Sequence, residues 1–263
     1  MKSGFLSLTE RLALAWEGLC LWTEQSWAQA APARAALCAH MARITASPLR
    51  WGSLYVTVFC LISIIALDRP VAGFFKAHLH GETEGFFKTV THLGEAQLYL
   101  VPGGVLTAAL ALAGWRAPSR QRRAWWWRRC IHPGFLVASM AISGTLNNII
   151  KTGIGRMRPR YWFDQGLYGM EPFNRDWGMN SFPSGHSQAA FAAMTALMVI
   201  FPRHGALWLS IAMLVAASRV ATTVHWLSDV VGGSWLAIFV TIALARWFRQ
   251  RGLEPNYSAR LLQ

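Results

Sequence analysis

Six runs of apolar residues divide this chain, at roughly 51–67, 97–114, 133–150, 187–202, 205–222 and 228–247. Polar segments marked by Pro, Gly or charge separate them. Several runs reach the about 17–25 residues that cross a bilayer as a helix. The fourth is the shortest and needs its flanks to complete a span. Six such runs in one chain fit a polytopic bundle better than a soluble helical core. The pattern predicts an all-α membrane protein with six transmembrane helices. Before the first run the periodicity changes. Leu8, Leu12, Trp16, Leu19 and Trp22 recur near helical spacing, with Glu10, Arg11, Glu17 and Glu24 between them. This predicts an amphipathic helix lying on a membrane surface. Ala28-Gln29-Ala30 has the form of a signal-cleavage site, but Glu17 interrupts the apolar stretch a signal needs. The alanine-rich stretch from Ala30 to Ala36 carries Pro32 and predicts a break between short helices. Residues 74–95 are too polar to span, and Phe86, Phe87, Val90 and Leu93 predict a short interfacial helix. His78, His80 and His92, in the same segment, read as solvated.

Composition agrees with a lipid-solvated chain. Only 14% of the 263 residues are charged, against about 25% in soluble domains. Charge also orients the spans. Arg116, Arg120, Arg122, Arg123, Arg128 and Arg129 fall in one acid-free connection. Lys2, Arg11, Arg34, Arg43 and Arg50 precede the first span, Arg203 sits between the fourth and fifth, and Arg246, Arg249, Arg251 and Arg260 lie at or beyond the end of the sixth, against one acid, Glu254. With six spans these regions share a side, and the positive-inside rule makes it cytoplasmic, with both termini. The net charge of +13 is then a matter of topology. Its expected partner is anionic lipid at the cytoplasmic face, not nucleic acid, because the basic runs lie between hydrophobic spans. Trp125-Trp126-Trp127 reads as an interfacial anchor. Cys20, Cys38, Cys60 and Cys130 show no CxxC spacing, which predicts reduced thiols, and no metal-ligand spacing stands out. The expected organisation is a cytoplasmic amphipathic segment over 1–50, a six-span domain over 51–250 and a cytoplasmic tail over 251–263.

The chemistry is concentrated on the opposite side. Lys151 ends the third span and Arg158-Pro159 follows it, in KTGIGRMRP. Arginine forks and a lysine point charge suit a phosphate, which carries close to two negative charges. Pro159 would hold Arg158 extended. Pro183-Ser184-Gly185-His186 precedes the fourth span. This would place Ser184, Gly185 and His186 at a helix N-terminus, whose free N–H groups and partial positive charge favour anions. Ser218-Arg219 ends the fifth span, and His225 and Asp229 open the sixth. Four residues apart on a helix, His225 and Asp229 would share a face, either merely steadying the helix end or orienting an imidazole. Arg156 and Arg160 read as neighbours only. Each segment alone has a structural explanation: a snorkelling lysine, a turn, an i,i+4 pair.

Together the three segments, K-x6-RP, PSGH and SR-x5-H-x3-D, resemble the signature of the type-2 phosphatidic acid phosphatase superfamily, and the six-span plan resembles its membrane branch. The resemblance implies a metal-independent hydrolase of phosphate or diphosphate esters with no cofactor. It implies that His225 is the nucleophile forming a phosphohistidine, Asp229 its orienting partner and His186 the general acid. It implies that Lys151, Arg158, Ser184, Gly185 and Arg219 bind the phosphate. Soluble haloperoxidases resemble the same site, but the apolar spans set this chain apart. The aromatic segment with Tyr161, Trp162, Phe163, Tyr168, Phe173, Trp177 and Phe182 suggests a cap at headgroup level. The expected substrate is a membrane lipid phosphate: phosphatidylglycerophosphate, phosphatidic acid, undecaprenyl diphosphate or a lipid A phosphate. The expected location is a bacterial inner membrane, with the site periplasmic. A lipid phosphotransferase with the same half-reaction and a non-catalytic lipid binder are the alternatives.

Overall fold

A computed structural model describes residues 31–174 and 177–255, apart from the side chains of Arg34 and Trp177. The amphipathic helix expected before residue 31 and most of the expected tail lie outside the described residues. Contacts divide the chain into two units at Gly52 and Ser53. Helix α1 (Ala31–Ala46) runs through the expected break. Pro32 falls in its first turn, where the missing N–H costs nothing.

α2 (Pro48–Ile62) passes through a π-helical turn, Ser63–Leu67, into α3 (Asp68–His78). α4 (Gly81–Val90) continues by a 3-10 turn, Thr91–Gly94, towards α5 (Gln97–Trp115). Next come α6 (Arg120–Ile154), the short α7 (Pro159–Gln165), α8 (Gly185–Ile200), α9 (Gly205–Ala221) and α10 (Leu227–Gln250). The described chain is helical, with one isolated β-bridge between Arg156 and Met170.

Among the described residues, five helical segments are long and apolar enough to cross a membrane: Pro48–His78, Gly81–Trp115, Arg120–Ile154, Pro202–Ala221 and Leu227–Gln250. The remaining expected span, the fourth, is α8, which has 16 residues. At 1.5 Å per residue it is about 24 Å long, short of a hydrocarbon core of about 30 Å. Packing explains how it manages. α8 lies against α6, α9 and α10, and Ala189, Ala190, Ala192, Ala193 and Ala196 are buried along it. A helix enclosed by other helices need not meet both membrane surfaces. The outer helices instead expose large apolar side chains, among them Leu61, Ile65, Val105, Ile149, Leu207 and Met213, as lipid-facing surfaces do.

The basic connection is not a loop. α6 begins at Arg120, about 13 residues before the expected span. Ser119 caps it by accepting from the Arg122 N–H at 3.3 Å, and arginine and alanine are good helix formers. The Arg129 guanidinium lies 3.4 Å over the Trp125 ring, a cation–π contact within one turn of the helix.

Candidate active site

Three turns bring the signature residues together. α6 stops at Gly155, in left-handed backbone with φ 58°. A side chain there would collide with the Glu171 carbonyl. The strand beyond it is tied on both sides: Met157 N–H donates to Gly169 O (3.1 Å) and Ser181 N–H to Arg156 O (2.7 Å). Arg158 is extended, at φ −76° and ψ 159° ahead of Pro159, as the sequence predicts. The second turn is the N-terminus of α8, capped by Ser184. Ser184 N–H donates to Asp229 O at 2.9 Å. A Cβ on Gly233 would sit 2.5 Å from Ser184 O, so α10 meets this turn backbone to backbone. The third turn joins α9 to α10, where His225 N–H donates to Arg219 O at 3.2 Å.

His225 and Asp229 do not share a helical face. α10 starts at Leu227, leaving His225 in the turn before it. Asp229 Oδ2 accepts from Trp226 N–H at 2.9 Å, which caps the helix and stops it from extending back. The same oxygen lies 3.5 Å from His225 Nδ1. Ser181, absent from the sequence reading, bridges the two: its Oγ donates to Asp229 Oδ2 (2.5 Å) and lies 3.3 Å from Nδ1. Nδ1 is therefore occupied and Nε2 is the ring nitrogen left for a substrate. Burial, above all, pushes His225 down to about 3, Lys151 and Arg219 add to that, and Asp229 opposes it. The imidazole is neutral near pH 7, with a free electron pair.

Two of the signature cations, Lys151 and Arg219, lie near enough to act electrostatically on His225. Lys151 Nζ donates to Asn180 O at 3.2 Å. Arg219 Nη1 donates to Thr91 Oγ1 at 2.5 Å. The Nε–H groups of Arg158 and Arg219 are buried and have no protein acceptor. Buried donors without partners are rare and costly, and an oxyanion would satisfy both. Burial, followed by the neighbouring Arg160, lowers the pKa of Arg158.

Behind the ring lies a buried network that the sequence reading did not foresee. Arg156, set aside there as a neighbour, is 1% exposed. Its Nη1 donates to Asp229 Oδ1 (2.6 Å) and Ser228 Oγ (2.6 Å). Its Nη2 donates to Asp68 Oδ2 (2.7 Å) and Tyr168 OH (2.9 Å). Asp68 also accepts from Ser228 N–H (3.0 Å) and Ser228 Oγ (2.5 Å). Tyr168 OH donates to Ile64 O (2.5 Å) in the π turn, where the backbone departs from its regular ladder. Burial opposes the charge on Arg156, but Asp229 and Asp68 outweigh it and raise its pKa. The only cue in the sequence was an acid at a span end. Much of the aromatic segment packs inward too: the Tyr168 and Trp162 rings lie 5.0 and 6.0 Å from Trp226. Phe173 is exposed.

Apolar spans enclosing a neutral histidine among fixed cations define a membrane protein built to handle anionic esters. Residues 133–253 match the PAP2 superfamily. The lipid A 1-phosphatase of Rhizobium johnstonii is 30% identical over 215 residues, covering 76% of this chain and 83% of that protein. That of Rhizobium etli is 28% identical over 209 residues, covering 76% and 87%. In fold the chain resembles the crystal structure of a transmembrane PAP2-type phosphatidylglycerolphosphate phosphatase from Bacillus subtilis. The TM-score is 0.53 at 21% identity, covering 75% of this chain and 96% of that one. The chain belongs to the PAP2 superfamily and is a multi-pass membrane lipid phosphatase.

Proposed function

We propose that this protein removes the phosphate from a lipid A-type glycosyl phosphate, through a phosphohistidine on His225. His225 Nε2 attacks phosphorus while His186 gives a proton to the departing sugar oxygen, so that the N–P bond forms as the P–O bond breaks. Water then loses a proton to His186 and attacks phosphorus, the N–P bond breaks, and inorganic phosphate leaves. Lys151, Arg158, Arg219 and the Ser184–Gly185 turn hold the phosphoryl oxygens, with fixed cations stabilising the charge of transfer. Asp229 and Ser181 keep the ring oriented. The observation that carries this mechanism is the engagement of Nδ1 by Ser181 and Asp229, together with two buried guanidinium N–H groups without acceptors.

The glycosyl substrate is favoured by the two rhizobial relatives, each named a lipid A 1-phosphatase. The acid-free arginine segment at the start of α6 and the signature at its end favour a site on the periplasmic side of a bacterial inner membrane, with both termini cytoplasmic. The test is phosphate release in detergent from lipid A, phosphatidylglycerophosphate, phosphatidic acid and undecaprenyl diphosphate, with rapid quenching to trap phosphoenzyme. Lipid A should be the best substrate. An acid-labile, alkali-stable phosphoryl label should form on the wild type and be absent from His225→Ala. A label that persists in that variant would refute the nucleophile, and preference for another lipid would refute the substrate.

A further inference from the structure

A cavity of about 680 Å³ opens beside His186, between α5, α6 and α8. Gly185 and His186, at the N-terminus of α8, are among the residues that line it. Its α6 wall is made by Ala141, Gly144, Thr145 and Asn148, which repeat at i, i+3, i+4 and i+7 and so share one helical face. The neighbouring face of the same helix carries Ile142, Leu146 and Ile149, all exposed. α6 is therefore two-sided near its end, with a greasy lipid face and a face of small and polar residues. Polar side chains inside a spanning helix point at a partner or a wet cavity and mark a ligand path. Glu95, held by His92 at 2.6 Å, also lines the cavity, with Gln97. Asn147 also lines the cavity. It is 1% exposed, and its Oδ1 is buried without a hydrogen-bond partner.

We infer that this cavity is the leaving-group subsite and that it is built for a sugar ring carrying hydroxyl and acylamido groups. The inference rests on the phosphatase reading above. His186 must touch the departing oxygen, so the group attached to that oxygen extends into the space His186 borders. The diacylglycerol end of phosphatidic acid brings no hydrogen-bond donor to that space. An N-acylated hexosamine brings an amide N–H for a carbonyl such as Asn147 Oδ1, and ring oxygens for Thr145 and Asn148. A site that hydrogen-bonds its substrate discriminates strongly against one lacking the matching groups. Thr145 and Asn148 are the specificity-determining residues.

The double variant Thr145→Val, Asn148→Leu changes two exposed wall positions and keeps the branching of their side chains while removing their polar atoms. kcat/KM is measured with lipid A 1-phosphate and with phosphatidic acid in the same mixed micelles. The ratio of the two should fall roughly 10-fold, the scale of two lost hydrogen bonds. An unchanged ratio, with both substrates affected equally or not at all, overturns the subsite. A wild-type enzyme that hydrolyses phosphatidic acid but not the glycosyl phosphate overturns the proposed substrate itself, so the two failures are distinct.

Discussion

Replacing Arg156 with methionine keeps the length of the side chain and removes its charge. Arg156 is the cation between two buried carboxylates, 2.7 Å from Asp68 and 2.6 Å from Asp229. Without it both acids are uncompensated in a site that excludes water. Breaking a buried pair by removing one partner costs about 3–5 kcal/mol. Here one guanidinium serves two acids and two hydroxyls, which puts the loss near the top, at about 5 kcal/mol. For a unit of this size that is a fall of about 10–20 °C in melting temperature. The assay is thermal unfolding of purified wild type and variant in one detergent. Asp68→Asn supplies the sign. In the wild type it weakens the charge-assisted bonds to Arg156 and should destabilise. In the Arg156→Met background it removes an uncompensated acid and should stabilise. A change of the same sign in both backgrounds, or an unaltered melting temperature in Arg156→Met, would refute the network.

Gly233→Ala should abolish activity and lower stability. Its Cβ would meet Ser184 O at 2.5 Å and Ser184 N at 3.1 Å, and backbone on a capped turn cannot move aside; wild-type turnover in the alanine variant would show that the turn has slack. His186→Ala should slow alkyl phosphates much more than aryl phosphates, since good leaving groups need no proton; equal losses would remove it as the acid. His225 links stability to pH. Its folded pKa of about 3 lies below the roughly 6.5 of an unfolded histidine. On acidification the unfolded chain takes up this proton first. The stability that the neutral ring contributes is complete above pH 6.5 and is lost as pH falls towards 3. The melting-temperature gap between wild type and His225→Gln should therefore shift against the wild type from pH 7.5 to 4.5, and a constant gap would contradict the burial of the ring.

The candidate residues at the front of the site could be picked out in the sequence because the three segments together resemble one family signature. Lys151, Arg158, Ser184, Gly185, His186, Arg219, His225 and Asp229 sit at span ends, and hydropathy alone put all of those ends on one side. The back of the site was not legible. Asp68 and Arg156 meet across 88 positions, and an acid in a mixed loop looks like any other until the fold folds it inward. Ser181 had no signal beyond its closeness to PSGH. The placement of His225 was misread because an aspartate four residues on suits both a helical pair and an N-cap, and Trp226 N–H settles that competition. The early start of α6 was hidden because arginines read as a loop in a hydropathy profile, although they are good helix formers.

The two layers of the site explain each other through charge. Lys151, Arg158, Arg219 and Arg156 contribute four positive charges, and Asp68 and Asp229 two negative ones. With His225 neutral, and before the proton that His186 donates is counted, the sum is 4 − 2 = +2, the complement of a phosphate monoester carrying −1.5 to −2. Arrangement matters as much as the total. Both acids are tied to Arg156 behind the imidazole, so the phosphate meets three cations and no free carboxylate. Asp229 can therefore steady His225 from 3.5 Å without repelling the dianion that His225 must attack. Asp68 belongs to α3, outside the matched residues 133–253. The helix that the signature omits thus supplies the charge that divides Arg156 between two acids and leaves Asp229 able to accept a hydrogen bond from the ring.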